Sequence, residues 1–111
     1  MTWRKVCSVD DLADRTLKQF DVDGVAVLIA RLADDFFAYP PLCPHQEEVL
    51  ESSGVCDGKV LTCTKHLWQW DMRTGQEMGL AEKPLLMYEV KAEQGDVYVF
   101  VEQELKYDYD D

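Results

Sequence analysis

Two short motifs, each combining one cysteine with one histidine, constrain this chain more than any other feature. The first Cys/His motif reads Cys43-Pro44-His45 and the second reads Cys63-Thr64-Lys65-His66, with seventeen residues between them. The chain has only two histidines, and both lie within three residues of a cysteine. Two thiolates and two imidazoles suit zinc, copper or an iron–sulfur centre. We therefore predict a metal centre. Its four predicted ligands are Cys43, His45, Cys63 and His66.

Structural zinc is the main alternative. Zinc sites with two cysteines and two histidines usually pair like with like, leaving two to four residues between the cysteines and three to five between the histidines. Here each motif is mixed, and the one-residue gap in the first is rare in zinc fingers. Chance placement of the four residues, with no metal bound, is the other alternative. The mixed spacing favours an iron–sulfur centre over both.

The length of the chain is that of one domain. A chain of 111 residues can bury a core without disulfide crosslinks, so we predict a single domain over residues 1–111. The N-terminus lacks the long apolar segment of a signal peptide or membrane span. We therefore expect a cytoplasmic protein with no membrane association. In a reducing compartment Cys7 and Cys56 should be thiols, with a disulfide between them as the alternative.

The charge of the chain is strongly negative. Its 22 acidic and 11 basic residues give a formal charge of −11. Nucleic acids and anionic lipids need clusters of lysine and arginine, so neither is an expected partner. A protein with a basic docking face is an expected partner, although solubility alone also explains the charge. Glu47, Glu48 and Glu51 are candidates for an acidic rim that docks such a partner, with a solvated turn as the alternative.

Short strands separated by turns dominate the pattern. Asp23-Gly24 between two apolar runs is a strong hairpin signal, and the run 25–30, apolar on both faces, predicts a buried central strand. A second hairpin turn is predicted at Asp57-Gly58, another turn at Asp34-Asp35, and a short helical turn over residues 8–12. The predicted strands are 3–7, 17–22, 25–32, 36–39, 59–62, 67–71, 85–91 and 97–102. This pattern predicts an all-β sandwich or barrel.

The predicted strands bring the two Cys/His motifs to neighbouring loops. The first motif follows a strand that Pro40-Pro41 ends, and the second lies at the tip of a hairpin. Two such loops can face each other across a metal centre on a rigid scaffold. We predict a cluster-binding part over about residues 40–84. The acidic C-terminal tail, residues 103–111, is expected to fray beyond Leu105.

Over its whole length the chain resembles a small Rieske ferredoxin. The spacing Cys-x-His…Cys-x-x-His and the segments 43–46 and 63–68 look most like the ferredoxin component of bacterial toluene and related aromatic monooxygenases. In that family two cysteines hold one iron of a [2Fe–2S] cluster and two histidines hold the other. The resemblance implies an antiparallel β-sandwich or barrel with a cluster-binding subdomain formed by two ligand loops. Lys83-Pro84-Leu85 stands where the family has a third, proline-containing loop.

The resemblance implies an electron carrier rather than an enzyme. An NADH-dependent reductase, containing flavin and in some systems an iron–sulfur cluster, would supply single electrons to one [2Fe–2S] cluster per chain. The acceptor would be the di-iron hydroxylase of an aromatic monooxygenase, in aromatic hydrocarbon catabolism, and the ferredoxin itself a monomer. The alternatives are the ferredoxin of a ring-hydroxylating dioxygenase, a small Rieske subunit of nitrite reductase and, in a different class, a zinc-stabilised interaction module.

Two positions depart from respiratory Rieske proteins. Those proteins place a serine two residues and a tyrosine four residues beyond the second histidine, and both hydroxyls donate to sulfur. Here the positions are Trp68 and Trp70. The additional cysteines that form a disulfide in those proteins are replaced by Glu48 and Lys65. Fewer hydrogen bonds to sulfur leave the more negative, reduced cluster less stabilised.

We therefore predict a midpoint potential in the lower part of the Rieske range, around −150 to 0 mV. A redox titration followed by visible absorption would measure it. A value above about +150 mV would contradict the inference from the two tryptophans.

Overall fold

The strands of the described part of the chain form three antiparallel sheets. The structure, a computed structural model, describes residues 3–44, 49–57 and 59–107. Besides the strands, these residues contain a 3₁₀ turn at Val9–Asp11 and one short helix, α1, at Leu50–Ser53. The strands are β1 Trp3–Ser8, β2 Thr16–Val22, β3 Val25–Leu32, β4 Asp35–Tyr39, β5 Gly54–Asp57, β6 Val60–Cys63, β7 Trp68–Asp71, β8 Glu77–Gly79, β9 Glu89–Glu93 and β10 Asp96–Phe100.

The sheet β2-β3-β4 lies between the other two sheets and contributes to a core on each face. The sheet β1-β10-β9 contributes to one core, here called the terminal core, and the sheet β5-β6-β7-β8 contributes to the other, the site core. On β3, Val27 and Ile29 pack in the terminal core, whereas Leu28 and Ala30 pack in the site core. Successive side chains of a strand face opposite ways, so a strand between two cores must be apolar throughout. The prediction of a buried central strand is confirmed, as is the all-β class.

The hairpin that joins β2 to β3 is confirmed as well. Asp23 and Gly24 have φ angles of 52° and 88°, as a two-residue turn with both residues in the left-handed region requires. The carboxylate of Asp21 accepts a hydrogen bond from the Gly24 amide at 2.8 Å. Gln94 and Gly95, with φ of 52° and 82°, form the same kind of turn between β9 and β10.

Several elements differ from the prediction. The turn predicted at Asp34-Asp35 lies one residue earlier, because β4 already begins at Asp35. The short elements α1, β5 and β8 were not predicted as such. The strand predicted over 85–91 begins only at Glu89. Before it, the amide of Leu85 donates to Gly75 O and that of Tyr88 to Ala38 O, each at 2.8 Å. These amides bond to separate elements, so this segment joins no continuous ladder.

The C-terminal tail is tied to the body of the protein by two tyrosine hydroxyls. Tyr88 accepts a hydrogen bond from the Leu105 amide at 2.8 Å, and Tyr107 accepts one from the Leu86 amide at 3.0 Å. Tyr107 also packs against the site core. Specific contacts thus extend two residues past Leu105, where we predicted fraying to begin. Residues 108–111 lie outside the described part of the chain.

Across the ranges that the structure describes, no helix is long and apolar enough to cross a membrane.

The turn after β7 provides a test of close backbone packing. A Cβ atom at Gly75 would lie 2.3 Å from Leu85 O, and φ there is 76°. At Gly24 φ is 88°, but a Cβ would meet nothing within 4 Å. We expect Gly24→Ala to lower the free energy of unfolding by about 1–2 kcal/mol, because alanine disfavours the left-handed backbone. Gly75→Ala adds the steric overlap of its Cβ atom with Leu85 O, so it should lower the free energy of unfolding by roughly 2–5 kcal/mol.

Urea unfolding of the two variants, compared with the unsubstituted protein, measures this difference. Equal losses of stability would contradict the close approach of Gly75 to Leu85.

Candidate metal centre

The first Cys/His motif begins a loop that is closed at its base. Leu42 and Val49 form an isolated antiparallel bridge, and the amide of Leu50 donates to Pro41 O at 2.9 Å. Cys43 and Pro44 are fully buried directly after this bridge. The motif therefore follows the end of β4, as predicted. Residues 45–48, with the predicted ligand His45, lie outside the described residues.

The second Cys/His motif lies at the tip of the β6–β7 hairpin, as predicted. Cys63 ends β6 and is paired with Trp68, the first residue of β7. The Leu67 amide donates to Cys63 O at 2.8 Å, and Leu67 has a φ of 60°, so the chain reverses tightly. Cys63 is fully buried, whereas His66 is partly exposed, although its Nδ1 atom is buried and has no hydrogen-bond partner among the residues that the structure describes. The turn thus directs a thiol inward and returns an imidazole towards the surface.

Hydrogen bonds fix the two loops against each other. The backbone N–H and the hydroxyl of Thr64 both donate to Ser53 O, at 2.8 and 2.7 Å. Ser53 ends α1, the helix that follows the first motif. Cys43 and Cys63 accordingly belong to the same buried site core. Among the residues that the structure describes, no three histidine, cysteine or acidic side chains surround one point as a single metal ion would require.

The predicted third loop is attached to the sheet β5-β6-β7-β8, here called the hairpin sheet, beside the second motif. The indole N–H of Trp70 donates to Lys83 O at 2.8 Å, and the amide of Leu85 donates to Gly75 O. Trp70 is fully buried and packs in the site core. Respiratory Rieske proteins have a tyrosine hydroxyl at this position that donates to sulfur. In this chain the indole N–H of Trp70 donates to the third loop instead. Trp68 is also buried, on the same strand face, with the two rings 6.3 Å apart and edge to face.

Tyr39 makes a buried hydrogen bond within the site core that the sequence did not reveal. It is the last residue of β4, fully buried, and its hydroxyl donates to Met72 O. Burial raises the pKa of Tyr39 far above its usual value. The phenol therefore stays neutral and joins the strand before the first motif to the chain after β7. A tyrosine at a strand end carries no sequence signal for this contact.

The two other cysteines are free thiols, as expected. Cys7 is buried in the terminal core, and Cys56 is half-buried on β5. Burial raises the pKa of each thiol to about 11, and the charge of Asp11 contributes at Cys7. Both remain protonated at neutral pH, and neither belongs to a Cys/His motif.

Of the three residues of the predicted acidic rim, Glu51 lies within the described part of the chain. Glu51 accepts a hydrogen bond from the amide of Gln19 at 2.7 Å, so its carboxylate ties α1 to β2. This residue has a structural contact that the docking hypothesis did not foresee. Glu47 and Glu48 lie outside the described residues.

The donor set fits an iron–sulfur cluster. Two soft thiols are buried in one core, and an imidazole with a buried, non-hydrogen-bonded Nδ1 lies three residues after one of them. Thiolate and imidazole are both ligands of Rieske-type iron.

Comparisons with known proteins agree with this chemistry. Residues 2–89 match the family model of the Rieske [2Fe-2S] domain. The methanesulfonate monooxygenase ferredoxin subunit of Methylosulfonomonas methylovora is 43% identical over 111 residues, which cover 100% of this chain and 90% of the relative. The ferredoxin component of the alkene monooxygenase system of Xanthobacter autotrophicus is 36% identical, covering 87% and 80%.

A solved structure has the same fold. It is the complex of reduced oxygenase and oxidized ferredoxin in carbazole 1,9a-dioxygenase, matched with a TM-score of 0.81 and 30% identity, covering 94% of this chain and 97% of that one. The two relatives of this chain described above are named as a ferredoxin subunit and a ferredoxin component, not as catalytic subunits. The chain therefore belongs to the Rieske [2Fe–2S] family, as an electron-carrying ferredoxin component of the oxygenase systems, with a Rieske-type cluster as its cofactor.

Proposed function

We propose that Cys43 and Cys63 bind one iron of the cluster and that His45 and His66 bind the other. The observation that carries this proposal is the difference in burial within the second motif. Cys63 is fully buried with Cys43 in the site core, whereas His66 reaches the surface in part. This arrangement suits a cluster with its thiolate-bound iron inside and its imidazole-bound iron towards a partner. The proposed cluster-binding part spans about residues 40–84 of a single domain.

The bound cluster supplies a one-electron couple, and the chain supplies the environment for it. Leu50, Leu61 and Trp70, all fully buried, pack in the same core as the two thiols and exclude water from that side. The Trp70 hydrogen bond keeps the Lys83 carbonyl beside the hairpin sheet. A rigid surround keeps the structural change on reduction small, which favours fast transfer. No substrate bond needs to be made or broken by this chain.

The proposed route runs from an NADH-dependent flavin reductase to the hydroxylase of a monooxygenase system. Two of the similar proteins, the methanesulfonate and alkene monooxygenase ferredoxins, support a monooxygenase as the acceptor. A di-iron aromatic hydroxylase is the acceptor that the resemblance of the sequence implies. We also propose a monomeric carrier in the reducing cytoplasm, which agrees with the free thiols of Cys7 and Cys56.

A ring-hydroxylating dioxygenase is the second candidate acceptor. The specific observation in its favour is the similarity to the ferredoxin of carbazole 1,9a-dioxygenase, which that structure holds in complex with its oxygenase.

The ligand assignment predicts one outcome for the two cysteines of the motifs and another for Cys56. Changes in the second coordination shell alone cost about 10–100-fold in metal affinity. We therefore expect Cys43→Ser and Cys63→Ser, which remove direct ligands, to abolish stable cluster binding. Cys56→Ser, a matched change outside the motifs, should keep it. Iron and acid-labile sulfide per chain, with visible absorption, measure the outcome. Full iron content in Cys43→Ser or Cys63→Ser would refute the assignment.

Reconstitution tests the proposed acceptor. The ferredoxin is combined with an NADH-dependent flavin reductase and, separately, with a di-iron hydroxylase or a ring-hydroxylating dioxygenase. We expect NADH-coupled product formation with the di-iron hydroxylase that stops when the ferredoxin is left out. Cys63→Ser is the inactive control, and Cys56→Ser is the active one. Turnover with the dioxygenase alone would replace the first acceptor by the second.

A further inference from the structure

We infer that Thr64 is a positioning residue that sets the separation of the two Cys/His loops, and so the geometry of the cluster between them. The inference concerns a residue that binds no iron itself. It rests on the proposed ligands Cys43 and Cys63. Thr64 follows Cys63 directly, so any force that moves Thr64 also moves that ligand.

Thr64 donates two hydrogen bonds to the same carbonyl oxygen of Ser53. Its backbone N–H lies 2.8 Å and its hydroxyl oxygen 2.7 Å from Ser53 O. A carbonyl oxygen has two lone pairs and can accept both hydrogen bonds. Ser53 ends the short helix α1, where the last carbonyl groups have no partner within the helix. Thr64 supplies that partner from the other loop.

From Ser53 the contacts continue to the base of the first loop. The amide of Ser53 donates to Val49 O at 2.9 Å, and Val49 forms the bridge with Leu42. Leu42 directly precedes Cys43. A continuous series of backbone contacts therefore runs from the neighbour of one proposed cysteine ligand to the neighbour of the other. Thr64 contributes its side-chain hydroxyl as well as its backbone amide to the step that joins the loops.

Close packing keeps the acceptor in place. Gly54 follows Ser53 and pairs with Cys63 across the β5–β6 ladder. A Cβ atom at Gly54 would lie 2.6 Å from Leu50 O and 2.7 Å from a methyl group of Leu17. Ser53 itself is buried, with 6% of its surface exposed. The carbonyl is thus fixed by its surroundings, and the position of Thr64 follows from it.

Thr64 is held by hydrogen bonds rather than by packing, because the residue is exposed. Thr64→Val therefore removes one donor while keeping the shape and the β-branch, and Thr64→Ser keeps the donor. Thr62, two residues earlier on the same hairpin, is a matched control. Its hydroxyl accepts a hydrogen bond from the side chain of Gln69, its partner across the β6–β7 ladder, at 3.2 Å. Thr62→Val also loses one side-chain hydrogen bond, so a general loss of stability would affect both valine variants.

The experiment measures the rate of cluster loss to an excess of iron chelator, by decay of the visible absorption, together with the electron paramagnetic resonance spectrum of the reduced protein. We expect Thr64→Val to lose its cluster about two- to tenfold faster, the effect of one hydrogen bond on the opening of the loops. Its g values should shift or broaden, because the ligand geometry is less fixed. Thr64→Ser and Thr62→Val should match the unsubstituted protein. Failure of Thr64→Val alone to assemble a cluster would also support the inference.

Three results would overturn it. They are an unchanged rate and spectrum in Thr64→Val, an equal effect of Thr62→Val, and an equal effect of Thr64→Ser. The ligand assignment is tested separately. If Cys63→Ser kept its cluster, that assignment would fail whatever the threonine variants showed.

Discussion

The burial of both faces of the β2-β3-β4 sheet is the constraint on which the rest of the structure depends. A strand that faces a core on each side must be apolar on both, and the central strand β3, with its buried centre, meets that requirement. The terminal core attaches one neighbouring sheet, and the site core attaches the other. Cys43 leaves this sheet just after β4, while Cys63 comes from the hairpin sheet across the site core. The two thiols lie in one core because two separate sheets contribute to it.

Shared burial brings the thiols together, and polar contacts determine how the loops are oriented. The Leu42–Val49 bridge closes one loop, and the turn at Leu67 closes the other. The buried apolar surroundings supply much of the stability but no direction, since the hydrophobic effect is non-directional. Hydrogen bonds to fixed carbonyls, such as those of Ser53 and Lys83, supply the direction. A site that must hold four ligands needs both.

The sequence predicted those features that depend on local chemistry. Asp23-Gly24 specifies its turn through the backbone of two residues, and the second Cys/His motif lies between two recognisable strands. It did not predict β8, whose residues are all exposed and which exists through pairing with β7. Glu51 looked like a docking acid because its partner, the Gln19 amide, is 32 residues away. The bonds of Thr64 and Trp70 also depend on segments that meet only after folding. The spacing of the motifs identified the candidate ligands, whereas the hydrogen bonds that position the ligand loops are seen only in the tertiary structure.

The two tyrosine hydroxyls at the C-terminus have a consequence for the boundaries of the domain. The family match ends at residue 89, yet Tyr107 returns to the amide of Leu86, two residues after Pro84 of the third loop. Leu105 is bound to Tyr88 in the same way. A chain shortened to the matched residues would also lose β10, the central strand of the sheet β1-β10-β9. Residues 90–107, beyond the matched segment, are therefore an integral part of the scaffold, and a transplant of the cluster-binding part into another protein has to extend at least to Tyr107.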